Sequence, residues 1–227
     1  PTRRSSDLKR IPISLKMAGF SMILTIVFGV GSGVLMAVKK DRLLDHVLGT
    51  FSTVALSLPG FWIAIVLIFI FAEQWKILPS SGISDGSGFI LPAITLALPS
   101  IGVCARLTRS AILDEIGRQY MTVADAKGMS RRRAVIRHAF GNALIPIITY
   151  LGNHMAGIIG GASIVETIFA LPGIGNYAIA GVQSKDYYVV QAYVLFSGCI
   201  YVLTNILIDL IYIALDPKIR AGEAVES

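Results

Sequence analysis

The side chains of this 227-residue sequence that could do chemistry are few and scattered. Cys104 and Cys199 lie inside apolar runs, with no CxxC pair and no histidine at zinc-binding spacing, so both read as small buried hydrophobes. His46 and His138 stand at the edges of apolar runs and His154 within one; a lone imidazole so placed is more often a packing residue than a metal ligand. Asp209 is a carboxylate inside an apolar run, with Asn205 one helical turn before it, a candidate intramembrane polar pair. A proton relay would require further ionisable groups along the path, so a structural role is preferred, with Arg106 or Arg109 approaching from the same side. The sequence contains no HExxH, no GxSxG and no paired carboxylates within a span. Leu171-Pro172-Gly173-Ile174-Gly175 lacks the Lys and Ser or Thr of a phosphate loop. These residues point to no catalytic, metal or cofactor site in the chain itself.

The elements that must position these groups are membrane spans. Of the residues, 54% are hydrophobic and 15% charged, where soluble domains carry roughly a quarter charged. Charge-free stretches run over 17–38, 47–72, 86–105, 139–165 and 187–208. Each has about 20 residues or more, enough to cross a hydrocarbon core of about 30 Å as a helix. Continuous apolarity excludes barrel strands, which alternate. The expected fold is therefore all-α, a polytopic bundle of five spans. Pro59, Pro92, Pro99 and Pro146 mark kinks, and the spacings Gly29 to Gly33 and Gly157 to Gly161 suit close helix packing.

The net charge of +6 is gathered into loops, which argues for topology and against a nucleic-acid surface. Lys39, Lys40 and Arg42, then the basic residues from Arg106 to Arg137, then Lys218 and Arg220 fall on alternate loops, which places those loops in the cytoplasm. Lys9, Arg10 and Lys16 then lie outside, in conflict with that rule, and a missing preceding helix would resolve it. Residues 1–8 read as a sequencing scar, 9–220 as one membrane domain and 221–227 as a cytoplasmic tail.

Between the third and fourth spans, residues 109–138 are too polar for the bilayer. Good helix formers from Gln119 to Lys127 end at Gly128, where a helix can stop in a left-handed turn, and Ser130 can cap a second helix running from Arg131 to Phe140. This gives a helix, a glycine turn and a helix on the cytoplasmic side. Phe169 to Ile174 with Tyr177 forms an apolar, broken external segment too short to span, read as a re-entrant or interfacial helix.

The stretch from Tyr120 through Gly128 to Ser130, followed by Arg137 to Pro146, resembles the EAA loop of ABC importer permeases, nearest the dipeptide, oligopeptide and nickel branch. The resemblance extends from about Ile11 to Arg220. It includes Ser57-Leu58-Pro59-Gly60-Phe61-Trp62, Leu91-Pro92-Ala93, Arg106-Leu107-Thr108-Arg109, the run Glu166 to Gly175, and Asp209 through Tyr212 to Arg220. It implies that Tyr120, Thr122, Ala124, Asp125, Ala126, Lys127, Gly128, Ser130 and Arg131 dock on a cytoplasmic ATPase subunit and transmit its closure to the spans. Small Ala124 and Ala126 suit close approach, Gly128 the turn, and Lys127 with Arg131 to Arg133 steering. Asp125 departs from the basic residue usual there, which leaves its ion-pair partner open.

The family implies a bacterial inner-membrane subunit that is not an enzyme. Its implied partners are a second permease in a heterodimer, two ATPase subunits that use ATP and Mg, and an extracellular or periplasmic substrate-binding protein. The cargo would be peptides or a related small solute, nickel included, and the external segment would cap the pathway. The family also implies one helix before the part equivalent to Ile11. An ion- or proton-coupled carrier is the alternative; it would need an internal repeat or several intramembrane carboxylates, and neither is evident.

Overall fold

The computed structural model describes residues 10–83, 86–118 and 139–215. They form helices and connecting turns. Helix α1 spans Ile11–Val38, with a π-helical segment at Thr25–Val30. α2 (Leu43–Ser57) and α3 (Gly60–Gln74) follow, then α4 (Ser87–Ile116), α5 (Phe140–Ile168), the short α6 (Ile174–Gln183) and α7 (Tyr187–Leu215). By length and apolarity α1, α4 and α7 can each cross a membrane, and two bent pairs raise the number of candidate spans to five.

The expected second span, 47–72, is not one helix. α2 and α3 meet at 104°, because Pro59 lacks an N–H and forces the residue before it out of the helical region. Leu58 is extended (φ −83°, ψ 131°), and the Pro59 carbonyl starts the next helix by accepting the Trp62 and Ile63 N–H groups at 3.0 and 3.1 Å. Pro99 and Pro146, by contrast, sit inside continuous helices. A second difference concerns the polar stretch after the third span: α4 continues through Arg106 and Arg109 to Ile116, so the start of the expected 109–138 loop is helical.

α4 is the hub, packed against α1, α2, α3 and α5, while α5 also carries α6 and α7. Close approach of α1 to α4 depends on two glycines in the expected small-residue spacing. A Cβ on Gly29 would lie 2.8 Å from Cys104 Cβ, and one on Gly33 would lie 2.5 Å from Thr108 Cβ and 2.6 Å from the Ala105 carbonyl. Gly157, the first member of the second predicted pair, makes no such close approach: a Cβ there would meet nothing within 4 Å. Instead α5 bends, its parts Phe140–Ile158 and Ala162–Ile168 meeting at 51°.

Two apolar clusters fill the two halves of the bundle. Met17, Ala64, Phe89, Leu91, Val165, Phe169 and Leu171 pack at the end holding the start of α1 and the external segment. Ala37, Ile112, Ala139, Ala143 and Ile147 pack at the opposite end, beside the basic turn Lys39 to Arg42. Side chains of Leu, Ile, Phe and Val are exposed along α1, α2 and α7, as lipid-facing helices require.

Candidate functional site

At one end of the bundle, the segment 119–138 follows the end of α4 and precedes the start of α5. All nine residues expected to couple to an ATPase, Tyr120 to Arg131, lie within it and outside the described residues. The helical bases on either side are described, and they are tied together. Glu115, buried near the end of α4, accepts a hydrogen bond from Asn142 Nδ2 in the first turn of α5 at 3.2 Å. The same carboxylate pairs with Arg118 Nε at 3.0 Å. Entry and exit of the segment are thereby held in fixed register.

Nearly two turns further into the bundle, Arg109 forms a two-pronged contact with Asp45 of α2. Its Nε donates to Oδ1 at 2.7 Å and its Nη2 to Oδ2 at 2.8 Å. Asp45 is 4% exposed and also accepts the Asp41 N–H at 3.0 Å. It sits in the first turn of α2, where the helix dipole favours an anion. The planar guanidinium fork thus locks α2 to the hub helix at the level where the polar segment begins. The sequence signal for this pair was weak, because Asp45 lies beside the Lys39 to Arg42 island and 64 residues from Arg109.

The expected alternative partner for Arg109 is therefore not used. Asp209 is exposed on α7 and has no paired cation among the described residues. Asn205 Nδ2 donates to its own helix, to the Tyr201 carbonyl at 3.0 Å. The two residues share one stretch of α7, which packs on α5 and α6, while Arg106 and Arg109 face α2. His154 is a packing residue: its ring stacks on Tyr150 at 5.7 Å, and Nδ1 lies 3.4 Å from Ser100 Oγ. Among the described residues no group of three His, Cys, Asp or Glu side chains could hold a metal.

The opposite end carries a feature that sequence reasoning quoted only as part of a motif. Glu166, near the end of α5, is 0% exposed. Its Oε1 accepts the Ser14 hydroxyl of α1 at 2.5 Å and its Oε2 accepts the Asn176 N–H at 2.8 Å, with the Gly175 N–H also directed at the carboxyl group. Ser14 Oγ in turn accepts the Ile174 N–H at 2.9 Å. Three N–H groups in the first turn of α6, which have no partner within their own helix, are thus satisfied by one carboxyl and one hydroxyl. The chain reaches this geometry through Ala170, held in the left-handed region at φ 49°, and Leu171, whose N–H bonds the Glu166 carbonyl at 2.8 Å. Gly173 is required because a Cβ there would overlap the Glu166 carboxyl. Arg10 completes the end by lying 4.7 Å over the ring of Tyr177. The short apolar segment expected after Phe169 is therefore a clasped helix, α6, buckled to α1 and α5.

The family model described as "Binding-protein-dependent transport system inner membrane component" matches residues 29–221. The chain belongs to this family. Among its relatives is the "Probable peptide ABC transporter permease protein y4tP" of Sinorhizobium fredii, 37% identical over 220 residues, covering 93% of this chain and 70% of that protein. Another is the "Dipeptide transport system permease protein DppB" of Bacillus subtilis, 32% identical over 209 residues, covering 92% of this chain and 68% of that one. The fold is shared with the membrane subunit in inward-facing structures of the MetNI methionine ABC transporter, with a TM-score of 0.75 at 17% identity, covering 92% of this chain and 95% of that one. The protein is accordingly a multi-pass permease of the bacterial inner membrane, a transport component and not an enzyme. In the permease, the Glu166 clasp and the Asp45–Arg109 fork close opposite ends of one bundle, and the hub helix α4 runs between them.

Proposed function

We propose that this permease forms half of a translocation pathway for peptides, paired with a second permease and driven by two separate ATPase subunits that use ATP and Mg. A substrate-binding protein outside the membrane delivers the cargo. Peptides are the substrate class because relatives at 37% and 32% identity are named for peptide and dipeptide transport; nickel, the other cargo of the resemblance, has no such support from them. A carrier acting alone is disfavoured by membership of a binding-protein-dependent family.

The observation that carries the mechanism is the rigid footing of segment 119–138. Its two ends arise from α4 and α5, tied by Glu115 to Asn142, and α4 packs on four other helices. A displacement imposed on the segment by a closing ATPase is thus delivered to the helix with the most neighbours. The ATPase can drive transport only if its contact with the segment differs in free energy between inward- and outward-facing arrangements. Within the segment, Ala124 and Ala126 permit the close approach and Gly128 the turn.

The test is Gly128→Val in the complete assembly. A β-branched residue at a left-handed turn is strained, so ATP-dependent peptide uptake should fall at least tenfold while membrane insertion and permease pairing persist. Normal uptake with the variant would remove the proposed role of the turn.

A further inference from the structure

On the half of the permease that holds the Asp45–Arg109 pair, an open groove of about 580 Å³ lies beside the α2–α4 contact, lined by Met36, Asp45, His46, Thr50, Arg106, Arg109 and Ser110 among others. Its two arginines are not equivalent. Arg109 is committed to Asp45 through both of its hydrogen bonds. Arg106, nearly one turn earlier on the same face of α4, is exposed and has neither a carboxylate nor a hydrogen-bond partner among the described residues. His46 lies across the groove without a hydrogen-bond partner among them, close enough to Asp45 to act on its charge, and Thr50 and Ser110 contribute hydroxyls. Asp45 is neutralised by Arg109, and the nearby turn carries Lys39, Lys40 and Arg42 against Asp41 alone. The groove therefore offers donors and net positive charge to an anion.

The faces of α2 identify the kind of anion. Asp45, Ser52 and Ala55 form its buried face. His46, Thr50 and Thr53 turn to the groove. Leu43, Val47, Phe51 and Val54, spaced four, four and three apart, form an adjacent stripe that is more than half exposed at every position. A basic groove at the edge of a span, beside an exposed apolar stripe, matches a molecule with an anionic head and hydrocarbon tails. A soluble carboxylate would have no use for the stripe. Basic pockets between spans on the cytoplasmic side are the usual seat of anionic lipid headgroups.

We infer that the α2–α4 groove binds the headgroup of an anionic phospholipid of the cytoplasmic leaflet, with Arg106 on the phosphate and the stripe from Leu43 to Val54 against the acyl chains.

The test is native mass spectrometry of the complete detergent-solubilised transporter given equimolar phosphatidylglycerol and phosphatidylcholine. The wild type should retain phosphatidylglycerol about fivefold more, the preference one basic side chain near an anionic surface confers. Arg106→Gln should abolish the preference and Arg106→Lys should keep most of it. A photoactivatable phosphatidylglycerol should label peptides covering 43–54 and 103–110 in the wild type, a readout that stands even where the glutamine variant fails to assemble. Equal retention of both lipids, an unchanged preference in Arg106→Gln, or labelling confined to other helices overturns the assignment. So does displacement of the lipid by millimolar dipeptide, which would mark a substrate site, or loss of the second permease in Arg106→Gln, which would mark a subunit interface.

Discussion

Replacing Glu166 by Ala should loosen the clasped end of the bundle through lost hydrogen bonds alone. The carboxyl group is fully buried and serves as acceptor for the Ser14 hydroxyl and the N–H groups of Gly175 and Asn176. Alanine leaves these three donors without their acceptor in a place water does not reach. A buried donor left unsatisfied costs about 1–3 kcal/mol. Ser14 can turn to a carbonyl of its own helix, so the lower end of the range applies, giving roughly 3 kcal/mol in all. For a chain of this size, 1 kcal/mol moves a thermal midpoint by about 2–4 °C, so the expected drop is about 6–12 °C. The assay is thermal unfolding of the purified transporter in detergent, followed by the fluorescence of a label on α6, with Ser14→Ala as a companion expected to show about a third of the effect. A midpoint for Glu166→Ala within 2 °C of the wild type would refute the reasoning, because it would mean that the clasp is open or wet in the protein as isolated.

Further outcomes follow from other contacts. Arg109→Ala leaves Asp45 buried without its partner and should cost about 3 kcal/mol, read as a lower unfolding midpoint; the double variant Asp45→Ala, Arg109→Ala should recover part of the loss. Gly33→Val would drive a side chain into Thr108 and the Ala105 carbonyl, so α1 should separate from α4 and the yield of folded permease in membranes should fall severalfold. Gly128→Val should reduce ATP-dependent uptake without loss of insertion, and Arg106→Gln should remove the phospholipid preference without loss of folding.

The all-helical, membrane-spanning character of the chain was legible in the sequence because lipid imposes an all-or-nothing demand: backbone groups must be satisfied within each helix. The Gly29 to Gly33 notch was legible for the same reason, as a local spacing with one packing consequence. What escaped was non-local. Pro59 looks like Pro99 and Pro146 in the sequence, yet of the three only Pro59 ends its helix, with Leu58 extended before it. Arg106 or Arg109 was expected near Asp209 from the order of spans and loops; the partner of Arg109, Asp45, is fixed by how α2 crosses α4, which no spacing encodes. Glu166 stood in plain sight within a recognisable motif, but its meaning depends on a serine 152 residues earlier.

That separation bears on how the protein is made. Ser14 enters the membrane with the first helix of this sequence, and Glu166 is synthesised 152 residues later, a delay of about 8–30 s at ordinary elongation rates. Throughout that interval α1 has a hydroxyl near its outer end with no distant partner, and α6 does not yet exist to seal the surface. Ribosome-bound chains halted before residue 166 should therefore present a hydrated, protease-accessible outer rim that closes within one burst of synthesis, making the buckle a natural marker of a finished permease.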